Sequence, residues 1–369
     1  MKKTALLFIA MALLSISAEA KIWRVNSQSN YNGSTLFGEN FGGTPAYPVF
    51  KQINQAIQYN VVTAGDTLHI EGSALLYETA TLTKKLVLIG PGYFLDQNPQ
   101  TSNNMYDARV RRIVVESTAA DSQIIGLNLV VAGSSLDGTI QIEANGVTVK
   151  RCRFERGIEF ATLLTDVYIL QNFFAFINNG NNCFSTNGFS SFVPPNNIVF
   201  NNNICQSKLI WKSSTATWNI NECNNNVFDG PANTLNLDFN CGSFKNNILK
   251  AAGITATING GSNINVEHNT VSNVGVFAGT PGNLVVANMS SLFVTSGTTD
   301  GVYQLQPDSV SNVPGSDGVE RGAFGGAAAI NRYTLSGLAA IPVLYELSTV
   351  GVATGGSGLP VTINARTVK

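Results

Sequence analysis

An internal repeat limits this chain's fold more than any other feature. An apolar residue recurs three positions before an asparagine, at Asn128, Asn172, Asn203, Asn226, Asn247 and Asn269, with Cys152 holding the same place in its own turn. The successive intervals are 24, 20, 31, 23, 21 and 22 residues. Three before that position stand Ile125, Val149, Ile169, Phe200, Cys223, Phe244 and Val266. Two after it stand Val130, Phe154, Phe174, Cys205, Phe228, Leu249 and Val271, so both columns are apolar throughout. The position one before is mostly polar: Leu127, Arg151, Gln171, Asn202, Asn225, Asn246 and His268. Repeats of about 20 to 30 residues with inward and outward alternation stack as solenoids, like residue on like. The L-x-x-L-x-L frame of a leucine-rich repeat is absent, and no helix-length amphipathic segment lies within the repeats. The reading is an all-β, single-stranded parallel β-helix, its coils stacked about 4.8 Å apart. Asparagine at a repeated corner can then hydrogen-bond to the coils above and below as a ladder.

Composition supports this. The chain has 369 residues, only 12% charged, with a net charge of −1 and 42 asparagines, 26 of them within residues 172–273. A typical soluble domain is about a quarter charged. The polar surface therefore comes from Asn, Ser, Thr and Gly. Nothing supplies the basic charge a nucleic-acid binder needs, so no nucleic-acid partner is expected. A hydrophobic content of 44% excludes a disordered acidic tail protein. With two histidines, His69 and His268, a His-rich metal site is not expected.

Residues 1–20 read as a signal peptide. Lys2 and Lys3 precede the apolar stretch Ala5–Ile16, and Ala18-Glu19-Ala20 offers small residues for cleavage before Lys21. No later segment is long and apolar enough for a transmembrane helix. The expectation is an exported monomer, periplasmic, cell-surface or secreted.

Before the repeats, Phe50, Ile53, Ala56 and Ile57 space as one face of a short helix that could cap the solenoid. This helix, Ala64-Gly65-Asp66-Thr67-Leu68, Leu75-Leu76-Tyr77 and Lys85-Leu86-Val87-Leu88-Ile89-Gly90 together resemble the opening of right-handed parallel β-helix proteins of the pectin-lyase-like superfamily. Tyr303-Gln304-Leu305-Gln306-Pro307-Asp308-Ser309, Gly315-Ser316-Asp317-Gly318 and Gly322-Ala323-Phe324-Gly325-Gly326 resemble the closing segment of secreted bacterial relatives. Those relatives commonly carry Asp and a hydrophobic residue where this chain has Glu320-Arg321. The resemblance spans about residues 45–330 and implies right-handed coiling and export. It does not fix an activity, because the fold hosts lyases, hydrolases, esterases, adhesins and inert surface proteins. The expected organisation is a solenoid with its N-terminal cap over residues 21–330 and a C-terminal β capping or sorting segment over residues 331–369. In that last segment Ile341–Leu347 and Leu359–Thr367 read as strands.

The chemistry is harder to read. Five cysteines invite a disulfide framework, but Cys205 and Cys223 fall in apolar columns and Cys152 replaces a ladder asparagine, so unpaired thiols are expected. A β-helix polysaccharide lyase needs a base for the proton α to a uronate carboxylate, and a cation to neutralise that carboxylate. Ca²⁺ would be expected only in that case, and otherwise no cofactor. The best basic cluster is Lys150, Arg151, Arg153 and Arg156, beside Glu155 and Glu159, with Asp166 one coil on; solvated outward positions are the plain alternative. Asp229, Asp238 and Glu222 could cluster across turns as glycosidase carboxylates, although nothing pairs them. Trp211, Trp218 and Phe189, in or beside the long 31-residue turn, are candidates for stacking on sugar rings or for a hydrophobic flap. The leading expectation is an exported protein that interacts with polysaccharide and has no recognisable catalytic set. A lyase acting on a uronate-containing glycan and a non-catalytic structural surface protein are the alternatives.

Overall fold

The computed structural model describes residues 20–101, 105–161, 163–175, 183–186, 195–207, 209–210, 218–231, 235–251, 255–259, 265–273, 277, 280–312, 314–349, 359 and 361–367. Residues 1–19 of the expected signal peptide therefore lie outside them.

The protein is mostly β, with long parallel sheets and two short helices among the described residues. From Gln123 to Val271 successive repeats give a strand to sheet A, turn a corner and give a two-residue strand to sheet B, and as far as Phe184–Thr186 each also gives a strand to sheet C. Sheet A pairs Thr67–Ile70, Val87–Ile89, Gln123–Ile125, Thr148–Lys150, Thr165–Leu170 and Asn196–Asn201 in parallel succession. Sheet B runs from Arg109–Val110 to Leu284–Val285, and sheet C from Ala80–Leu82 to Phe184–Thr186. This strand order is compatible with a parallel β-helix.

Like residues stack inside. Phe154 lies on Phe174 with ring centroids 4.9 Å apart and planes at 10°, Phe200 is tilted against Phe174 at 5.9 Å, and Phe200, Phe228 and Phe244 stack on one another at 6.4 Å. All five are fully buried. All five cysteines are buried and unbridged, with Cys183 Sγ 3.9 Å from Cys205 Sγ. The helix Ile53–Gln58 buries Ile53, Ala56 and Ile57 in the same core as the first coils. The C-terminal strands are Pro342–Thr349 and Val361–Thr367, an antiparallel pair joined to no other sheet among the described residues.

The ladder is real, but its first member differs from the sequence reading. Phe154 pairs with Leu129 and Val149 with Ile124, so Leu127 occupies the ladder position and the alignment on Asn128 is one residue out of register. In a strand a one-residue slip exchanges inside for outside. Ile125 and Val130 are accordingly half-buried outward residues, while Ile124 and Leu129 are fully buried. The ladder proper begins at Cys152, whose N–H donates to Asn172 Oδ1 at 2.9 Å. The backbone N–H groups of Asn172, Asn203, Asn226 and Asn247 each donate to the Oδ1 of the next asparagine at 2.9–3.0 Å. Asn283, only 14 residues beyond Asn269, accepts from Asn269 N and closes the row. Each ladder Nδ2 also bonds a backbone carbonyl, Val149, Ile169, Phe200, Cys223 and Phe244 in turn. The asparagines thus satisfy backbone groups that a sharp corner would otherwise orphan in the core.

Candidate functional site

The polar column before the ladder has a structural purpose. Arg151, Gln171, Asn202, Asn225, Asn246 and His268 all sit in the left-handed region, at φ between 55° and 59°. None is β-branched, as that backbone requires. A closing segment, residues 314–339, runs back along these corners. Arg151 donates through Nη1 to Leu338 O at 2.8 Å and through Nε to Gln171 Oε1 at 2.7 Å. Gln171 Nε2 reaches Ile330 O, Asn202 Nδ2 reaches Ala323 O and Gly325 O, and Asn246 Nδ2 reaches Ser316 Oγ. Across the same gap, Arg321 donates to Pro314 O, Asn269 O and Gly282 O. Sequence reasoning noted this column only as mostly polar, and weighed solvated outward positions only for the basic cluster that includes Arg151. The column's unbroken polarity beside a buried column was the signal that it touches something polar.

This separates Lys150, Arg151 and Arg153 of the basic cluster, and their neighbour Glu155. Arg151 is buried under the closing segment, only 4% exposed, and burial lowers its pKa. Lys150 points from the outer side of sheet A, in register with Ile125 and Leu170, and desolvation, then the neighbouring Arg151 charge, lowers its pKa. Arg153 belongs to sheet B, on the other side of the corner, and Glu155 directly follows that strand. Arg153 Nη1 donates to Glu155 Oε1 at 3.0 Å and to Asn128 Oδ1 at 2.9 Å, with its guanidinium 5.4 Å from the Phe94 ring centre. Lys150, Arg151, Arg153 and Glu155 therefore do not converge on one substrate position.

The neighbouring charges are matched in the same way. Arg112 bonds Glu159 at 3.2 Å and also Gln141, which donates to Glu143. Arg111 joins Asp137 and Glu78 at 3.2 and 3.0 Å, and Asp166 accepts from Asn197 and Thr165. The carboxylate candidates also part: Asp229 accepts from Tyr303 OH at 2.7 Å and Lys250 at 2.5 Å, whereas Glu222 on sheet A accepts from Asn201 at 2.8 Å. The Asp238 side chain lies outside the described residues. No group of three His, Cys, Asp or Glu able to hold a metal ion occurs among the described residues, and no described helix is long and apolar enough to cross a membrane.

Of the aromatic candidates, Trp218 packs inward rather than outward. It is 4% exposed, with its ring 5.6 Å from Phe160 and 6.0 Å from Phe184. The alternation that places Ile220 inside places Trp218 inside as well. Phe189 and Trp211 lie outside the described residues.

The structure instead exposes aromatic surface near the start of sheet B. An open groove of about 450 Å³ is lined by Phe94, Met105, Tyr106, Asp107 and Arg109, with Tyr106 57% exposed. Burial raises the Asp107 pKa, opposed by the bond from Asn128 and the Arg109 charge. Arg109 is fixed by its bond to Ala74 O at 2.7 Å. The groove thus offers a ring face, a guanidinium and a carboxyl group on a rigid sheet edge. Comparison of the chain with family models, with curated proteins and with solved structures gave no match.

Proposed function

We propose that the chain is an exported, right-handed parallel β-helix protein of the pectin-lyase-like kind that binds polysaccharide at its surface. On this reading residues 1–20 direct export, the Ile53–Gln58 helix caps the first coil, and the C-terminal strand pair closes or sorts the solenoid. The observation that carries it is the open groove holding Tyr106 and Phe94 beside Arg109 and Asp107. Ring faces stack on the C–H faces of sugars, while fixed charged and polar groups meet the hydroxyls. Binding rather than turnover is favoured because Arg153, Glu155, Arg112 and Glu159 are tied to one another. A general base needs a lone pair facing its substrate.

Affinity electrophoresis of the purified protein through gels of acidic and neutral polysaccharides tests the reading. Retarded migration is expected, and replacing Tyr106 and Arg109 together by Ala should weaken the acidic-gel interaction at least tenfold. Unretarded migration in every polysaccharide refutes it. Ultraviolet absorbance of an unsaturated uronate product would move the assignment to a lyase.

A further inference from the structure

Along the left-handed corner column, Arg151, Gln171, Asn202 and Asn246 each bond the closing segment. Asn225 and His268 make no such bond among the described residues. His268 Nδ1 lies 3.8 Å from Glu267 Oε2, whereas Asn225 is 8% exposed and its Nδ2 is buried without a hydrogen-bond partner. A buried amide donor left unmade is costly, so natural structures seldom keep one without a purpose. Asn225 lines a groove of about 420 Å³ between the outer face of sheet A and residues 326–331 of the closing segment. Tyr168, Leu170 and Val199 supply the ring and apolar surface of this groove, and Asn331 stands among the closing-segment residues opposite.

The other amides nearby are already engaged. Asn202 is bonded to the closing segment, Asn201 Nδ2 donates to Glu222 Oε2, and Asn224 Oδ1 accepts from Ser243 Oγ and Lys245 N. No lysine or arginine lines the groove, and its one charged lining residue is Asp317. An acidic sugar would meet a like charge there and no cation. A neutral sugar would set a ring face on Tyr168 and, with the Asn225 amide turned into the groove that it lines, offer a hydroxyl oxygen to Nδ2. We propose that this groove is a binding site for a neutral, hydroxyl-bearing sugar unit of a polysaccharide, with Asn225 as its donor and the closing segment as its second wall. The inference rests on the polysaccharide-binding reading and adds a second site with the opposite charge preference to the groove at Arg109.

The test is affinity electrophoresis of the full chain in a neutral galactomannan gel, beside the variants Asn225→Gly, Tyr168→Leu and Tyr106→Ala. Glycine keeps the left-handed backbone without strain while removing the amide. Asn225→Gly should weaken galactomannan binding at least tenfold with an unchanged or higher Tm, because it deletes an unpaired buried donor; a merely structural asparagine would lower Tm. Tyr168→Leu should give a similar loss, and decides the matter should Asn225→Gly fail to fold. Tyr106→Ala should leave galactomannan binding unchanged. Retardation equal in parent, Asn225→Gly and Tyr168→Leu refutes this site while leaving polysaccharide binding standing, and marks the amide as one that bonds only water. Failure of every polysaccharide to retard the parent refutes both.

Discussion

Replacing Asn226 by Ala should be among the most damaging single changes in the stacked sheets. Asn226 is fully buried, and its side chain serves three coils. Oδ1 accepts from Asn203 N at 2.9 Å and Asn203 Nδ2 at 3.1 Å. Nδ2 donates to Phe200 O at 2.9 Å and Asn247 Oδ1 at 3.0 Å. Alanine removes all four bonds and leaves the Asn203 backbone N–H buried without its acceptor. An orphaned buried polar group costs about 1–3 kcal/mol. With one backbone donor stripped and two amide partners loosened, the loss should reach about 3–5 kcal/mol, near the upper range of single substitutions. The internal control is Asn240→Ala. Asn240 Nδ2 bonds Asn219 Oδ1 at 2.9 Å on the exposed outer face, where water can replace the lost partner, so the cost should stay within about 0.5 kcal/mol. Urea unfolding followed by circular dichroism, compared at equal m-values, gives both numbers. A loss below about 1 kcal/mol for Asn226→Ala, or equal losses for the two variants, would show that the ladder is ornamental to stability.

Three further outcomes follow from the same structure. Arg321 is 2% exposed, burial pulls its pKa down to about 10, and it holds four acceptors including Thr270 Oγ1; Arg321→Leu should cost about 2–4 kcal/mol and open the closing segment to protease, and unchanged digestion would refute that role. Asp66 feels burial pushing its pKa up, but bonds from Lys21 N, Thr63 N and Trp23 Nε1 outweigh it and leave the pKa lowered. A depressed folded pKa means stability present above the unfolded value of about 3.9 and lost as pH falls through the folded one. Asp66→Asn should therefore flatten acid unfolding in that window, and an unchanged acid limb counts against the assignment. The five cysteines are buried, and burial pushes Cys152 and Cys241 up to about 12; a thiol reagent should label none in the folded protein and all five in denaturant, so fast native labelling would contradict the packing.

The repeat period and both apolar columns were legible because stacked parallel strands set like residues in the same place in successive repeats. From Cys152 onward both apolar columns match the strand register, although the pairing shifts by one residue between Ile198 and Val199. It slipped at Asn128 because Ile124-Ile125 and Leu129-Val130 are apolar on both sides, so neither column could reject the wrong register. Asn283 escaped because its coil is short. The site was far less legible. Arg151 and Arg153 are two residues apart in sequence but fall on opposite sides of a left-handed corner, and the partner of Arg151 is Leu338, 187 residues away. Trp218 was left open between sugar stacking and a hydrophobic flap because it adjoins an irregular turn, where period-two alternation cannot be phased from sequence alone.

The closing segment also changes how the stack of parallel strands should come apart. A stack whose coils touch only their neighbours unravels from its ends, one unit at a time. Here residues 321–338 run against the direction of the coils, bonding Asn269 O near one end, then Asn246 O and Asn202, then Gln171 and Arg151, while Ser336 O accepts from Tyr93 N. Peeling the last coil therefore means loosening a strip also anchored many coils away. The strip joins distant coils along the array like the return thread of a stitched seam, making a nearest-neighbour array a single cooperative unit.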